Sequence, residues 1–418
     1  MLLRLKILFA KLLYQGAIRY FYVCDLYAYL KSLKKYRNFS KRIKLFTKSE
    51  EIDKYKKICI FASYAKKLST SSKLYIKALG EINYGVVYVN NLPISNDDFE
   101  FLKNNSILSF NRINLGRDVG AFKDIFLYLS SNGYLDKINF LAFANDSVQF
   151  VPGKYANKLQ KSVLEFESSN SDGLFTHFSN QDKPHFQSFF KVLSKNVFCS
   201  KEYKSFWQKY RPISNREHSI KNGEIKISTK IYNKIKNKTV LYSTKKLATT
   251  IDDLKKEKDS ELLEMNILEL IPSFSRTMRA QGGIKNIVWN YRSIIRKNPI
   301  IGKLNKQNID TYLFELIENS NSTHVAGYLY PFFLKCPLIK KDLTSQGSFG
   351  MGQSLALYRK CLQYSMDLNN PIEKELYEDL LYEYDLLMLE KGNPYAYRKN
   401  YFKGIRLGIN GGFQYDFS

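Results

Sequence analysis

The chain has 418 residues, of which 44% are hydrophobic and 25% charged, so it can bury an ordinary core without disulfide or metal staples. Its 21 glycines and 10 prolines exclude collagen-like and low-complexity classes. The net charge of +26 favours an anionic partner, such as nucleic acid, anionic lipid or nucleotide phosphates. No RNP-type aromatic string, zinc finger or basic zipper accompanies the charge, so we expect no nucleic acid partner.

The five cysteines and four histidines do not form any familiar ligand pattern. The cysteines are far apart and never in a CxxC spacing, which indicates neither a disulfide framework nor a zinc site. No HExxH signature can be built from the histidines. A reducing cytoplasm is the simplest compartment for such a chain.

The N-terminal segment is apolar, but Lys6, Lys11 and Arg19 interrupt it before a membrane span accumulates. Arg4 and Gln15 join Lys11 and Arg19 on one face at helical spacing, with leucines filling much of the rest. This pattern is typical of a helix in an anionic membrane interface. A terminal helix docked on the protein's own core explains it equally well.

From Lys56 onwards short β-branched runs alternate with helical patterns, which predicts an α/β domain with a mostly parallel sheet. The predicted strands cover 58–64, 84–91, 107–112, 138–146, 172–179 and 185–194, and the predicted helices between them cover 72–82, 119–129 and 155–167. We divide the chain into a basic amphipathic helical segment (1–50), the α/β domain (51–240) and a mainly helical C-terminal region (241–418).

The string NLGRDVGAF over 114–122 follows the third predicted strand and opens a helix. Gly116 permits a tight turn, helix N-terminal amides attract an anion, and Arg117 and Asp118 suit a phosphate and a ribose or base. The alternative is a structural turn with Asp118 as helix N-cap. Ligands of open α/β sheets bind outside the carboxyl ends of the strands, and this segment follows directly after a predicted strand.

Asn145, Asp146 and Ser147 directly follow the most apolar predicted strand. A carboxylate at that point lies at the mouth of the crevice, where it suits a divalent ion or a sugar hydroxyl. An Asx-turn ending the strand is the alternative.

Two further segments carry polar side chains in unexpected surroundings. Strand alternation in KPHFQSFF puts His185 and Gln187 on one face, with Ser188 beside them, whereas a lone buried histidine is usually a core residue. Glu224 in IKNGEIKIS lies near a predicted helix start, where the helix dipole stabilises the anion of either a cap or a general base.

In this order the segments NxGRDVGAF, NDS, DGLF, HFQSFF, FW and GE resemble the rhamnan synthesis protein F family of polysaccharide-assembly glycosyltransferases. The joint pattern covers about residues 56–240. NSTH at 321–324 and CPLIK at 336–340 resemble the closing elements of that family.

The resemblance implies a GT-A-like nucleotide-sugar-binding fold that moves a sugar, rhamnose on a dTDP carrier being the best-known class, from a nucleotide diphosphate to a growing surface glycan. Only one residue of the NDS string is a carboxylate, so a requirement for Mg²⁺ or Mn²⁺ stays open, with Asp146 and His324 as tentative metal ligands. Lys340 would neutralise the diphosphate leaving group. The implied catalytic residues are Glu224, His185 and Asp146, and the implied donor-binding residues are Asn114, Gly116, Arg117, Asp118, Asn145, Ser147, Gln187, Ser188, His324 and Lys340.

Three functions follow from these observations. The first is a glycosyltransferase of capsule or O-antigen synthesis, peripheral at the inner face of the cytoplasmic membrane, with a lipid-linked saccharide acceptor. The second is a non-catalytic basic protein that binds an anionic polymer or membrane. The third is a transferase of a non-sugar substituent onto the glycan. A binding protein has no need of Asp146, His185 and Glu224 around a single crevice, so their location distinguishes the enzyme from the binder.

Overall fold

The computed structural model describes residues 39–48, 52–180, 183–232, 234–257, 321–345 and 351–392, with short pieces within 23–33 and single positions at 270, 314, 317, 318 and 349. The amphipathic helix predicted over the first 22 residues lies outside this part of the chain. None of the helices described here is both long and apolar enough to cross a bilayer.

The strands form one nine-stranded sheet and a separate two-stranded ribbon. In chain order they are β1 (Ile43–Lys48), β2 (Lys57–Ser63), β3 (Gly85–Asn90), β4 (Leu108–Arg112), β5 (Phe140–Asn145), β6 (Val148–Phe150), β7 (Gly173–Ser179), β8 (His185–Phe186), β9 (Phe190–Ser194), β10 (Lys238–Tyr242) and β11 (Leu338–Lys340).

The large sheet has the order β1-β4-β3-β2-β5-β9-β7-β10, with β8 beside β7. Strands β4, β3, β2 and β5 are parallel neighbours, and β10 is parallel to β7. Strand β9 runs antiparallel between β5 and β7, and β1 is antiparallel to β4. The chain is therefore a mixed α/β protein with a mostly parallel central sheet, as predicted.

Helices cover the sheet and make up most of the described part of the C-terminal region, which confirms the predicted helical character there. They are α1 (Phe39–Arg42), α2 (Thr70–Glu81), α3 (Phe99–Asn105), α4 (Arg117–Ser131), α5 (Tyr134–Lys137), α6 (Lys154–Ser168), α7 (Lys195–Phe198), α8 (Lys201–Lys209), α9 (Arg216–His218), α10 (Lys226–Tyr232), α11 (Thr244–Glu257), α12 (Ser322–Val325), α13 (Leu329–Leu334), α14 (Asp342–Ser345), α15 (Met351–Ser365) and α16 (Pro371–Gly392). A π-helical segment, Ser219–Ile225, joins α9 to α10.

The central strands are buried on both faces, which explains their nearly continuous apolar sequences. In β2, Cys59 and Phe61 point into one core with α2, α6 and the C-terminal helices. Ile58 and Ile60 point into the other core with α4, α8 and α10. The period of two along a strand thus divides one apolar run between two helix layers.

Two local predictions were wrong. Ile43–Lys48, within the segment predicted as helical, is an edge strand that pairs with β4, because its alternating apolar residues find a partner in the sheet. The single strand predicted over 185–194 is divided into β8 and β9 by a break at 187–189. The break lets β8 pair with the end of β7 on a separate ladder.

Arg112 at the end of β4 connects the sheet to the loop that precedes α4. Its Nε donates to Asp124 Oδ2 at 2.9 Å, Nη2 donates to the Leu115 carbonyl at 2.6 Å and Nη1 donates to Asn91 Oδ1 at 2.6 Å. Arg42 Nη2 donates to the other Asp124 oxygen at 2.8 Å. This buried network holds the loop over 113–118 against the carboxyl ends of the strands.

We expect Gly120→Ala to destabilise the protein and displace that loop. A Cβ atom at Gly120 would overlap the Leu115 carbonyl oxygen and lie 2.8 Å from Arg112 Nη2, and such overpacking usually costs about 1–3 kcal/mol. The melting temperature measures the effect. Gly80→Ala on α2 is the matched control, because its Cβ atom would meet nothing within 4 Å and alanine favours a helix. Equal melting temperatures of the two variants would contradict the expectation.

Candidate active site

The carboxyl ends of β2 and β5 form the point where the strand order reverses. From β2 the chain proceeds outward through β3 and β4, and it then returns to place β5 on the other side of β2. Helices α2 and α4 lie on opposite faces of the sheet. The space outside the ends of β2 and β5 is the usual ligand position in open α/β sheets, and we refer to it as the crevice.

Asp146 is anchored across the reversal point. Its Oδ2 accepts hydrogen bonds from Ser63 Oγ at 2.7 Å and from the Tyr64 amide at 2.9 Å. Both partners belong to the end of β2, about eighty residues earlier in the chain, so Asp146 does not form the local Asx-turn considered as its alternative. The carboxylate is half-buried and lies at the mouth of the crevice.

Asn145 brings the two sequence motifs together. Its Nδ2 donates to Asp118 Oδ2 at 3.0 Å, and its Oδ1 accepts from the amide and hydroxyl of Ser147. The Asx-turn at this strand end is thus made by Asn145. Because Asp146 is the next residue in the chain, Asp118 and Asp146 lie within the span of one nucleotide-sugar site.

The loop before α4 has the backbone geometry that its glycine predicted. Gly116 is the N-cap with φ +76°, and Arg117 also has positive φ at 56°. A Cβ atom at Gly116 would overlap Pro212, so the close approach requires glycine. The alternative of Asp118 as N-cap does not hold, because α4 begins at Arg117. The Asn114 carbonyl accepts from Ser214 Oγ at 3.1 Å.

Glu224 lies within the π-helical segment that joins α9 to α10. The continuous helix begins at Arg216, with Asn215 as N-cap, so the prediction of Glu224 at a helix start was wrong. The helix dipole fades within the first turn and does not act on this residue. Gly223 closely approaches Val119 of α4, which brings Glu224 near Asp118.

Lys191 on β9 is a site residue that sequence reasoning missed. It is 5% exposed, and its ammonium lies 5.0 Å from the centre of the Phe143 ring. Burial lowers the pKa of Lys191 to about 8, against the raising effect of Glu224 and Asp118. A lysine inside the apolar run FFKVL was the signal that could have found it, because lysine is almost never fully buried without a partner.

His185 and Gln187 lie beside the π-helical segment. His185 is buried, its Nδ1 donates to the Lys183 carbonyl at 2.7 Å, and its Nε2 lies 3.4 Å from Gln187 Nε2. The next amide, of Phe186, donates to Ser228 Oγ at 3.2 Å, and Ser228 Oγ in turn donates to the Glu224 carbonyl at 2.8 Å. Ser188 is half-buried in the break between β8 and β9.

His324 and Lys340 come together around Asp342, a second residue that sequence reasoning missed. His324 Nε2 lies 3.2 Å from Asp342 Oδ1, whereas Lys340 Nζ and Arg216 Nη2 lie 3.7 and 3.6 Å from Oδ2. Burial raises the pKa of Asp342, but Lys340, His324 and Arg216 together hold it well below its usual range. The sequence offered only an aspartate after two lysines, which is no signal by itself.

The two-stranded ribbon of β6 and β11 connects the basic residues around Asp342 to the segment that contains Asp146. Lys340 of β11 pairs with Val148 of β6, and the Lys341 amide donates to the Ser147 carbonyl at 3.0 Å. Lys340 Nζ also lies 5.7 Å from the centre of the Phe189 ring. The C-terminal region therefore forms one wall of the crevice.

The described residues do not form a ligand set for a resident metal ion. No group of three or more histidine, cysteine, aspartate or glutamate side chains with suitable geometry occurs among them. Of the tentative ligands, Asp146 already accepts two hydrogen bonds on one oxygen, and His324 faces Asp342. Divalent ions such as Mg²⁺ take six oxygen ligands, most of which would have to come from substrate and water.

Comparisons with known proteins agree with the sequence motifs. The uncharacterized protein y4gN of Sinorhizobium fredii (strain NBRC 101917 / NGR234) is 28% identical over 148 residues, which are 34% of this chain and 37% of that protein. The chain thus matches little more than a third of that relative's length. The rhamnan synthesis protein F family model matches residues 86–320, more than half of the chain; the NSTH and CPLIK elements lie beyond that range. The chain therefore belongs to the rhamnan synthesis protein F family.

Proposed function

We propose that the chain is a glycosyltransferase that moves a sugar from a nucleotide diphosphate donor to a growing cell-surface polysaccharide. The observation that carries the proposal is the meeting of Asp118, Asn145 and Asp146 where the strand order reverses. Doubly wound sheets bind nucleotides at such points. A GT-A-like donor domain is supported by the parallel β4-β3-β2-β5 order followed by one antiparallel strand, β9.

Each part of the crevice has a proposed role. The loop before α4 and the NDS string bind the nucleotide, and the basic side chains around Asp342 face the diphosphate. Glu224 is the general base that takes the acceptor proton, and His185 orients a substrate through hydrogen bonds. The donor-binding set is Asn114, Gly116, Arg117, Asp118, Asn145, Ser147, Gln187, Ser188, His324 and Lys340. A requirement for Mg²⁺ or Mn²⁺ stays a prediction, and no step of the proposal depends on it.

The family description names rhamnan synthesis, which supports rhamnose as the sugar. Another deoxyhexose as the sugar, and capsule or O-antigen as the product, are further parts of the proposal. A lipid-linked saccharide is the proposed acceptor. The net charge of +26 supports attachment to the anionic inner face of the cytoplasmic membrane. A purely polyanion-binding protein would not need two carboxylates joined by an asparagine at a strand-order reversal.

The proposal is tested by nucleotide-sugar binding to wild type and to Asp146→Ala. A ligand present at 100 times its dissociation constant stabilises the fold by about 2.7 kcal/mol, so one member of a panel of dTDP-, UDP- and GDP-sugars should raise the wild-type melting temperature. We expect Asp146→Ala to lose this rise and all transfer activity.

Because Asp146 accepts two hydrogen bonds, its truncation also removes some stability, and Asp146→Asn retains an acceptor oxygen without the charge. Asp97→Ala is the control, since that carboxylate is exposed and pairs with Lys67. Wild-type turnover in Asp146→Ala would contradict the proposed role. A panel in which no nucleotide sugar shifts the wild-type melting temperature would contradict the proposed function.

A further inference from the structure

The turn that begins α9 is fastened to the loop before α4, the first of the two donor motifs. Ser214 Oγ donates to the Asn114 carbonyl at 3.1 Å, and Ser219 Oγ donates to the Gly116 carbonyl at 3.4 Å. Arg216 lies between these two serines in the chain, in the first turn of α9. The backbone of Arg216 is therefore held beside the loop that is proposed to bind the nucleotide.

The side chain of Arg216 meets a residue of the second donor motif's neighbourhood. Its Nη2 lies 3.6 Å from Asp342 Oδ2, and Lys340 Nζ lies 3.7 Å from the same oxygen. Lys340 belongs to β11, which pairs with β6 directly after the NDS string. Two cations from distant parts of the chain thus meet at one carboxylate oxygen, within reach of a single diphosphate group.

The charges of this cluster do not balance. Asp342 carries one negative charge, whereas Arg216 and Lys340 carry one positive charge each, and His324 Nε2 lies 3.2 Å from the other Asp342 oxygen. One carboxylate offsets one cation, so positive charge is left over and attracts a further anion. A nucleoside diphosphate carries more than one negative charge and is the anion that the proposed function supplies.

The cluster is also open enough to bind a ligand. The side chains of Arg216 and Lys340 are 28% and 16% exposed. Their distances to Asp342 Oδ2 exceed the length of a hydrogen bond, so a phosphate oxygen can approach both nitrogens more closely than this carboxylate does. A guanidinium presents its donors in a planar fork that matches phosphate geometry, and an ammonium acts as a point charge beside it.

Asp342 gives the cluster its arrangement before a ligand arrives. Without an anion between them, Arg216 and Lys340 would repel each other and move apart. A binding site whose cations are already in place loses less free energy to reorganisation when the ligand enters. The carboxylate thus favours diphosphate binding although it has the same sign of charge as the ligand.

We propose that Arg216 binds the diphosphate of the nucleotide donor together with Lys340, and that Asp342 is the positioning residue that keeps these two cations side by side. The inference rests on the proposed function and adds Arg216, which the sequence motifs do not include in the donor-binding set. Since Arg216 begins the continuous helix that carries Glu224, the donor diphosphate and the candidate base are attached to one element.

The first test compares Arg216→Gln, which removes the charge, with Arg216→Lys, which keeps the charge without the fork. Calorimetric titration of the full chain with dTDP, UDP and GDP, and with thymidine, uridine and guanosine, separates the diphosphate from the nucleoside contribution. We expect Arg216→Gln to bind the diphosphate about 10- to 100-fold more weakly, as for a lost hydrogen bond between charged groups. It should bind the nucleoside as wild type does, and Arg216→Lys should recover part of the loss.

The second test replaces Asp342 by asparagine. By charge alone this variant would attract an anion more strongly than wild type, whereas a positioning role predicts weaker binding. We expect Asp342→Asn to bind the diphosphate at least tenfold more weakly and the nucleoside unchanged. If Asp342 acts through Arg216, the double variant loses less affinity than the two single variants combined. Stronger diphosphate binding by Asp342→Asn, or fully additive losses, would overturn its positioning role.

Lys137→Gln is the matched control for the loss of one positive charge. Lys137 pairs with Asp53 at 2.8 Å, both side chains are more than half exposed, and the residue precedes β5, at the opposite end of the strands from the crevice. It should retain wild-type diphosphate affinity. An equal loss in Lys137→Gln and Arg216→Gln would mean that only the net charge matters, which contradicts the inference.

Two further outcomes would overturn the inference alone: wild-type diphosphate affinity in Arg216→Gln, or an equal loss of diphosphate and nucleoside binding together with a lower melting temperature. If wild type binds none of the three diphosphates, the proposed function is contradicted and the role of Arg216 is contradicted with it. Diphosphate binding by wild type therefore distinguishes failure of the donor site from failure of this cluster.

Discussion

Replacing Glu224 by glutamine is expected to slow sugar transfer by about 10²–10⁴-fold while donor affinity changes little. The amide keeps the shape and hydrogen bonding of the side chain but cannot take a proton from the acceptor hydroxyl. Glu224 Oε1 is buried and has no hydrogen-bond partner among the described residues. Initial rates at saturating donor measure the effect.

The transfer rate of His185→Ala is measured beside that of Glu224→Gln, because His185 is the other candidate for the general base. The His185 ring is held through Nδ1 by the Lys183 carbonyl, which suits orientation better than proton transfer, so its loss should act mainly on KM. If His185→Ala has no transfer activity while Glu224→Gln transfers sugar at nearly the wild-type rate, His185 would be the general base and Glu224 the orienting residue. Full activity in both variants would mean that this crevice is not the catalytic one.

Asp124→Asn is expected to lower the free energy of unfolding by about 3–5 kcal/mol, the usual cost of breaking a buried ion pair. Asp124 is fully buried and contacts both Arg42 and Arg112, which the variant leaves as buried charges without their anion. Burial would raise the pKa of Asp124, but Arg112 and Arg42 together hold it below its usual value. The wild-type contribution is therefore present at neutral pH and disappears as pH falls through that lowered pKa.

Urea unfolding, followed by the fluorescence of buried Trp207 and by circular dichroism, measures the change. Asp97→Asn is the control, because its pair with Lys67 is exposed on both sides and such pairs contribute about 0–1 kcal/mol. The same loss in both variants would contradict the expected role of the network. Since Arg112 also holds the Leu115 carbonyl, Asp124→Asn should weaken donor binding as well.

The sequence was sufficient for those features that depend on local patterns. The six predicted strands and three predicted helices of the α/β domain have counterparts in the structure, because apolar periodicity and strand-end polar residues are local signals. The tight turn at Gly116 was predicted for the same reason, because glycine readily adopts the positive φ of +76° found there.

The features that were missed depend on long-range packing. The insertion of the antiparallel strand β9 between β5 and β7 depends on pairing with strands that are distant in the sequence. The continuity of α9, the π-helical segment and α10 depends on Gly223 fitting against Val119, so the helix start was misplaced at Glu224. Asp342 acquires its importance only from three basic residues that are up to 126 positions away in the chain.

The ribbon of β6 and β11 has a consequence for biosynthesis. Its two strands pair although about 190 residues separate them, and a ribosome adds roughly 5–20 residues per second. Strand β11, which carries Lys340, is therefore synthesised roughly ten to forty seconds after β6. During that interval the strand-order reversal is already present but its second side is open. A chain that ends before β11 would leave β6 without its partner strand, so truncation after α11 should abolish donor binding even where the large sheet still forms.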